Sequence, residues 1–427
     1  EARHGETATV GVWIDAGSRY ETAENNGAAH FLEHLAFKGT KRRGQQELEV
    51  EIENMGAHLN AYTSREQTVY FAKCFKQDVE ASMDILSDIL LHSELAHRSV
   101  ERERGVIVRE MEEVSRQHEE VIMDHLHEAA YSTSGLGMTI LGPETNINTL
   151  QQHQFRAYID THYTAPRMVI CGVGAVDHEE LVALSSKYWD EHLPVNPRTS
   201  YPTNFDPAVF GGGEKRQADD KLEVAHVSVA FEGTSWTDQH SYPLMLIQSM
   251  LGTWDRLSGA GSKVPSVLAQ ELAERDLCHS VNTLNISYKD TGLFGIYLVG
   301  EQETMPQALQ VVAANVSRLA SPGGVGEEEL GRAKTQLKAN LMQQLGTFSF
   351  VAEDIGRQVL TYGRRMPAVE TFARIDAVTL QDVQACAQRC FTPTQKGDTS
   401  NGGIALAALG KIDQLPDYQS INSLFAR

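Results

Sequence analysis

The sequence predicts an α+β protein built from two homologous αβ domains. With 427 residues, the chain exceeds the size at which one hydrophobic core usually keeps growing, which favours two domains of roughly 200 residues each. A stretch rich in proline and glycine, residues 193–213, interrupts the helical and strand patterns near mid-length. The segments on either side of it repeat the same order of predicted elements. We therefore predict domains at residues 1–205 and 209–427.

Each predicted domain begins with a strand that leads into a helix. Residues 9–14 alternate like a strand and continue into a helical segment around His30, and residues 226–231 lead in the same way into a helical run at 242–251. The other matched elements are helical runs at 83–91 and 305–319, charged helices at 100–115 and 326–344, and apolar strands at 168–173 and 403–409. This repetition indicates a duplication.

The composition narrows the class of partner. Hydrophobic residues make up 41% of the chain and charged residues 22%, as in ordinary folded proteins. Asp and Glu total 57 against 37 Lys and Arg, so the net charge of −20 argues against nucleic acid or an anionic membrane as the main partner. A peptide substrate of such a protein is expected to be basic.

Cysteines and termini give weaker information. The five cysteines are odd in number and widely spaced, so we expect buried thiols in a reducing compartment and no disulfide framework. No segment approaches 18 uninterrupted apolar residues, so no membrane span is predicted. Residues 1–5 resemble neither a signal peptide nor a transit peptide, which is the pattern of a chain that begins inside a longer one.

A short helix in the first half carries the most informative motif. Asn25 or Asn26 is predicted to cap its N-terminus, and Gly39 to end it in a left-handed conformation. His30 and His34 are four residues apart, so both imidazoles lie on one face of the helix and can bind a single Zn²⁺.

Glu33 gives that pair its catalytic interpretation. It lies three residues after His30 and beside His34, in the order known from the inverted zinc motif, and can act as a general base. The corresponding part of the second half, residues 240–244, has no such pair. Only the first half is therefore predicted to be catalytic.

A catalytic zinc ion needs a third protein ligand and one open position. Glu110 is the best candidate, and it shares a helical face with Glu103, seven residues earlier. One of these carboxylates can bind the metal while the other orients a histidine. The spacing alone also fits a solvated helix face, because the segment is rich in charges.

The motifs resemble a known family. Residues 30–40, 52–66 and 101–111 closely resemble the pitrilysin-like, inverted-motif zinc metallopeptidases, in the branch of β-type mitochondrial processing peptidase subunits and core 1 subunits of respiratory complex III. The resemblance continues through residues 287–292 and 414–418 and covers nearly the whole chain.

The resemblance implies a fold and a set of zinc-site roles. It implies two homologous αβ domains that enclose a substrate cavity together with a partner subunit. His30, His34 and Glu110 would be the zinc ligands, Glu33 the general base and Glu103 a supporting carboxylate.

The resemblance also implies substrate contacts. A presequence would bind in extended form along an edge strand containing Asn60 and Ala61, with Phe37 lining the pocket for the residue after the cut. Glu120 and Asp124 would receive an arginine near the cleavage point, and their spacing of four on a helical segment lets one guanidinium bridge both. An exposed acidic helix face is the alternative for that pair.

The function implied is removal of basic N-terminal targeting presequences from proteins imported into mitochondria. The expected partners are an α-type processing peptidase or core 2 subunit with a glycine-rich loop, presequence peptides and other complex III subunits. The expected location is the mitochondrial matrix, either free or on the matrix side of the inner membrane within complex III.

Two departures from the family pattern bear on these expectations. Single-chain relatives carry an Arg and a Tyr that help hold the reacting carbonyl, and residues 272–279 do not show that pair clearly, so catalysis is expected to depend on the partner chain. The polar stretch at 395–402 has no functional interpretation.

Two other functions are compatible with the same family. A core subunit of complex III without peptidase activity would serve as a scaffold, but it would have no physical need to keep two His, a base and a distant Glu together. A general degradative peptidase of the same fold fits the specific resemblance less well. An active processing peptidase is therefore favoured.

Overall fold

The computed structural model of the protein describes residues 5–189, 193, 206–258, 264–391 and 403–425. The helices in these residues are α1 (Ala28–Ala36), α2 (Gln45–Met55), α3 (Val79–Leu91), α4 (His97–Val114), α5 (His118–Ala130), α6 (Glu144–Thr149), α7 (Gln152–His162), α8 (His178–Trp189), α9 (Ser241–Leu251), α10 (Val267–Glu274), α11 (Met305–Ala320), α12 (Glu327–Gln344), α13 (Phe348–Tyr362), α14 (Ala368–Ala377), α15 (Leu380–Phe391) and α16 (Tyr418–Phe425). The strands are β1 (Thr7–Ile14), β2 (His58–Thr63), β3 (Thr68–Phe75), β4 (Met168–Gly174), β5 (Gly213–Ala218), β6 (Ala225–Glu232), β7 (Trp254–Asp255), β8 (Ser280–Ser287), β9 (Gly292–Gly300) and β10 (Ala405–Gly410). Every strand and helix predicted from the repeat is present, with its ends shifted by at most a few residues.

The chain forms two compact units. The first consists of Glu1–Glu113, Met138–Asp206 and Gln343–Arg365, and the second of Val114–Gly137, Pro207–Met342 and Met366–Arg427. The units therefore differ from a division of the chain at one point, because residues 114–137 belong to the second unit and residues 343–365 to the first.

The first unit is built on an antiparallel sheet in the order β2-β3-β1-β4. Because side chains alternate along β1, Val12 joins the core formed with α1 and α3, whereas Trp13 points to the opposite face. There the Trp13 indole donates to Glu353 of α13 at 2.9 Å, and Val351 and Leu360 of α13 complete the apolar layer. Helices thus cover both faces of this sheet.

The second unit has the same plan with two added strands. Its sheet runs β5-β10-β6-β9-β8-β7, antiparallel except for the β5–β10 pair. One face packs on the core that includes α9 and α11, and the other packs on α5 through Ile122 and Leu126. The inner order β8-β9-β6-β10 repeats the order β2-β3-β1-β4 of the first unit, which confirms the repeat predicted from sequence.

The two exchanged segments explain how the units differ from the predicted domains at residues 1–205 and 209–427. Helix α5 follows α4 in sequence but covers the second sheet, and α13 follows α12 but covers the first. Each helix buries its apolar face where a sheet offers a complementary surface, which sequence order does not specify. The predicted boundaries thus describe the order of the repeats and stay a prediction about domains.

Several predicted features can be placed against the described residues. All five cysteines are free thiols in the structure, and four of them are buried. Within the described residues, no helix has the length and apolar character needed to cross a membrane. Linker residues 194–205 and the polar stretch at 395–402 lie outside the described residues.

Candidate active site

The start of helix α1 is organised by a buried carboxylate. The cap predicted at Asn25 or Asn26 is wrong: the N-cap residue is Gly27, with φ of 101°, a left-handed conformation suited to glycine. Oε2 of Glu21 accepts from the N–H of Gly27 at 2.9 Å, and its Oε1 accepts from the N–H of Ala29 at 2.6 Å. Glu21 therefore binds the N–H groups that a helix leaves unpaired at its N-terminus.

The environment of Glu21 sets its protonation. Burial raises the pKa of this carboxyl to about 7, against the opposing effect of the N–H groups that bind it. The amide of Asn26 adds a donor to Oε2 at 2.8 Å. At its other end α1 is followed by Gly39, whose φ of 111° is left-handed as predicted, although the C-cap residue is Phe37.

Two histidines of α1 meet a carboxylate of α4. Nε2 of His30 lies 3.5 Å from Oε1 of Glu110, and Nε2 of His34 lies 3.2 Å from Oε2 of the same residue. One donor atom from each of the three side chains lies within 4.8 Å of the others, and in the described part of the chain this is the one such group of His, Cys, Asp or Glu. The structure thus brings together the three predicted ligands.

The three side chains suit a divalent metal. Two imidazole nitrogens and one carboxylate oxygen are the donors of many catalytic zinc sites, which keep one further position open. When each donor lies about 2.1 Å from a tetrahedral ion, neighbouring donors are roughly 3.4 Å apart. The His–Glu110 separations of 3.2 and 3.5 Å match that spacing.

Glu103 takes a different position from Glu110, and this distinguishes the two carboxylates that the spacing left open. Oε2 of Glu103 lies 3.4 Å from Nδ1 of His34, the ring nitrogen that faces away from Glu110, and its Oε1 lies 3.1 Å from Nζ of Lys38. The Glu103 side chain is 2% exposed, and the half-buried Lys38 supplies its counter-charge. A carboxylate at the second nitrogen of a ligand histidine fixes the tautomer and orientation of the ring.

These carboxylates also set the charge states of the site. Burial opposes protonation of His34, but hydrogen bonding to Glu110, the nearby charges of Glu110 and Glu33, and a hydrogen bond to Glu103 outweigh it and raise the pKa of the imidazole. Hydrogen bonds from His30 and His34 hold the pKa of Glu110 far below its usual range. Glu110 is therefore ionised and ready to bind a cation.

Glu33 lies on the same helix with its carboxylate held by strand β2. Oε2 of Glu33 lies 2.7 Å from the hydroxyl of Thr63, the last residue of β2. Sequence patterns did not indicate Thr63, because the contact depends on how α1 crosses the sheet. The base predicted from sequence thus has a defined position.

Strand β2 is an edge strand of the first sheet, as predicted for the segment with Asn60 and Ala61. Within the described residues, no strand pairs with its outer side. The N–H of Ala61 is bound by the Asn60 side-chain oxygen at 2.9 Å, so this donor lies outside the β2–β3 hydrogen bonds. Phe37 is half-buried beside this sheet, with its ring centroid 6.3 Å from that of Tyr70 on β3.

Comparison with known proteins identifies the family. Residues 1–144 match the model of the insulinase family, peptidase family M16, and residues 149–337 match the inactive domain of M16 peptidases. The chain is 47% identical over 418 residues to mitochondrial-processing peptidase subunit beta of Bos taurus, covering 98% of this chain and 83% of that protein. The chain belongs to peptidase family M16, among the mitochondrial-processing peptidase β subunits.

Other members of this family show similar identity or the same fold. The M16 chain is 46% identical to the β subunit of Homo sapiens, over 98% of this chain and 83% of that protein, and 47% identical to that of Lentinula edodes, over 98% and 89%. A chain of complex III2 from Candida albicans, solved with Inz-5 bound, has the same fold, with a TM-score of 0.85, 23% identity and coverage of 100% of this chain and 96% of that one. The resemblance inferred from the motifs is confirmed.

The remaining predicted residues of this M16 chain lie in the second compact unit. Glu120 and Asp124 are on α5, one helical turn apart, with Glu120 exposed and Asp124 half-buried. Their spacing fits a shared guanidinium. Binding of an arginine by this pair stays a prediction.

The structure adds residues that the sequence analysis did not single out. They are Glu21, Lys38 and Thr63, which contact the N-terminus of α1, Glu103 and Glu33 respectively. Lys38 lies just beyond the end of α1 and reaches Glu103 of α4, so helical spacing gave no signal for it. Glu21 and Thr63 likewise gave no signal, because their partners are fixed by tertiary packing.

Proposed function

We propose that the chain is the catalytic β-type subunit of a zinc-dependent processing peptidase that removes basic N-terminal presequences from imported mitochondrial precursor proteins. The observation that carries this proposal is the convergence of His30, His34 and Glu110, with Glu33 beside them, in a chain 46–47% identical to mitochondrial-processing peptidase β subunits. A scaffold has no physical need for that cluster.

The metal-binding residues and the general base would have separate roles in peptide hydrolysis. His30, His34 and Glu110 would hold the ion, which when bound supplies a Lewis acid for amide hydrolysis. Glu33 would accept a proton from the attacking water and return it to the leaving amine. Glu103, backed by Lys38, would hold the His34 ring in the required orientation.

The open edge of β2 would bind the substrate as an added strand. Main-chain hydrogen bonds to an edge strand give affinity without demanding one sequence, which suits presequences of varied composition. Asn60 and Ala61 would supply the backbone groups, and Phe37 an apolar wall for the residue after the cut. For this pairing, the substrate carbonyl would replace the Asn60 side chain at the Ala61 N–H.

Charge would select basic peptides. The chain carries a net charge of −20, which favours approach of cationic peptides at low salt. Glu120 and Asp124 on α5 would receive an arginine near the cleavage point. We also propose an α-type subunit with a glycine-rich loop as partner, and a mitochondrial location in the matrix or on the matrix side of the inner membrane within complex III.

The test is cleavage of a fluorogenic, arginine-containing presequence peptide by the native assembly. We expect one cut that a chelator abolishes and Zn²⁺ restores, and that Glu33→Gln reduces by on the order of 10²-fold or more. Glu328→Gln, at a side chain that is 88% exposed in the second unit, is the matched control and should cut at the wild-type rate.

Two further measurements test the arginine-binding pair and distinguish a peptidase from a scaffold. The double variant Glu120→Gln, Asp124→Asn should raise KM for the arginine peptide and leave KM unchanged for a peptide with that arginine replaced by glutamine. An assembly that binds the peptide but never cuts it, with or without added Zn²⁺, would instead be a structural core subunit of complex III.

A further inference from the structure

The carboxylate of Glu33 is held by a hydroxyl from the sheet. Oγ1 of Thr63 lies 2.7 Å from Oε2 of Glu33. An ionised carboxylate can only accept hydrogen bonds, so the threonine hydroxyl must donate. O–H···O⁻ bonds of about this length are charge-assisted and stronger than bonds between neutral groups.

Thr63 is well placed to hold its partner still. It is the last residue of β2 and pairs with Thr68 of β3, whose hydroxyl donates to the carbonyl of Ala16 at 2.8 Å. The turn that joins the strands is fixed by three contacts between Ser64 and Gln67. The N–H and the hydroxyl of Ser64 lie 2.7 and 3.0 Å from the Gln67 carbonyl oxygen, and the Gln67 N–H lies 3.0 Å from the Ser64 hydroxyl oxygen. A β-branched side chain on such a backbone has few rotamers.

The face of the strand agrees with this role. Side chains alternate along β2, so Leu59, Ala61 and Thr63 share one face. Leu59 and Ala61 pack on the core that contains α1, and Thr63 therefore points to the helix that carries Glu33. The contact follows from the register of the strand, not from a flexible surface side chain.

We propose that Thr63 is a positioning residue for catalysis, which fixes Glu33 by binding one carboxylate oxygen and leaves the other for proton transfer. This inference rests on the proposed peptidase function. A free glutamate side chain samples several rotamers, and a base must lie within hydrogen-bond reach of the proton it removes. Loss of the hydroxyl should therefore lower the rate of the chemical step without weakening peptide binding.

The test compares Thr63→Val with Thr63→Ser in the native assembly. Valine keeps the shape and β-branching of threonine but has no donor, whereas serine keeps the donor. We expect Thr63→Val to lower kcat about 10- to 100-fold, with KM, bound Zn²⁺ and melting temperature near wild type. Thr63→Ser should retain most of the activity.

The same substitution made in the Glu33→Gln protein distinguishes a positioning role of Thr63 from general damage to the site. In Glu33→Gln the base is already lost, so adding Thr63→Val should lower the residual rate little further. Equal kcat in Thr63→Val and wild type, or a change in KM or bound Zn²⁺ that accounts for the whole loss, would overturn the inference while the peptidase function stands. If Thr63→Val does not fold, Thr63→Ala against Thr63→Ser gives the same comparison. Absence of cleavage by the wild-type assembly would overturn both.

Discussion

The two repeats share a sheet order but differ in the helix that follows their first strand. In the first repeat β1 leads to α1, which carries His30, Glu33 and His34. In the second, β6 leads to α9, whose buried residues are Ser241, Pro243, Leu244, Leu246, Ile247, Met250 and Leu251. One framework thus supports either a polar site or an apolar core at equivalent positions, and the outcome depends on a few side chains.

The repeats also differ at the edge of the sheet. β2 and β8 hold equivalent places, but Ser280 and Val281 of β8 pair with the short strand β7, whereas no described strand pairs with the outer side of β2. Sheet edges usually need protection against unwanted pairing. If the first edge binds peptide, we expect an open edge beside the helix that carries His30 and His34 and a partly closed edge in the repeat that lacks this pair.

The largest effect on the difference between the two repeats is expected when one of the proposed metal ligands is removed. His34→Ala takes away an imidazole donor and leaves Glu103 and Glu110 without their shared partner. We expect loss of stoichiometric Zn²⁺ and a fall in peptide cleavage of at least about 10²-fold, the loss expected when a catalytic group is removed. Metal analysis and the fluorogenic assay measure both.

His240 provides the matched control, since it lies immediately before α9 in the second repeat. His240→Ala should leave bound metal and cleavage rate at wild-type values. A loss of metal in that variant would contradict the assignment of the site to the first repeat.

The packing of α13 on the first sheet can be tested through a glycine. A Cβ on Gly356 would lie 2.2 Å from the Trp13 ring, which is 1% exposed and cannot move away. Gly356→Ala should therefore destabilise the protein by about 3 kcal/mol, as measured by urea unfolding.

Gly331 on α12 makes the opposite case, because a Cβ there would meet nothing within 4 Å. Gly331→Ala should stabilise by roughly 0.5–1 kcal/mol, because alanine loses less backbone entropy in a helix. Equal effects of the two substitutions would argue against close packing of α13 on Trp13.

A further comparison concerns acid stability, in which the two units should behave alike. Burial lowers the pKa of His162 in the first unit to about 4, helped by the charge of Arg167. Burial likewise lowers the pKa of His226 in the second unit to about 4, with a contribution from His118. Both imidazoles are neutral when folded at pH 7.

The direction of the pH effect on folding stability follows from proton binding to the folded and unfolded chains. The unfolded chain takes up a proton at each histidine near its ordinary pKa of 6.5, and the folded chain only near 4. Each group thus contributes stability that is present above pH 6.5 and lost as the pH falls to 4, on the order of 3 kcal/mol per histidine. Thermal unfolding at pH 7 and pH 5 should show a smaller pH effect in His162→Gln and in His226→Gln, and an unchanged effect would be evidence against the two buried neutral rings.

Sequence patterns predicted the elements and selected the candidate ligands that the structure brings together, because both rest on local spacing. The four-residue spacing of His30 and His34 and the helical face of Glu110 are properties of single helices. The cap of α1 was wrong because Asn25 and Asn26 are local candidates, whereas Glu21 reaches the same N–H groups through the fold.

Long-range placement was the part that sequence could not supply. Helices α5 and α13 each bury an apolar face on a sheet, yet nothing in the periodicity of their sequences tells which sheet they cover. The hydrogen bond between Thr63 and Glu33 likewise depends on the crossing of a strand and a helix 30 residues apart. Local patterns define apolar faces, and only packing decides their partners.

The exchange of α13 into the first unit also has a consequence in time. A ribosome completes β4 at residue 174 but reaches the start of α13 only at residue 348. At a synthesis rate of about 5–20 residues per second, the face of the sheet that contains Trp13 stays uncovered for roughly 10–35 s. During that interval a nascent chain exposes a broad apolar surface, so chaperone binding to residues 7–174 should end when residues 348–362 emerge.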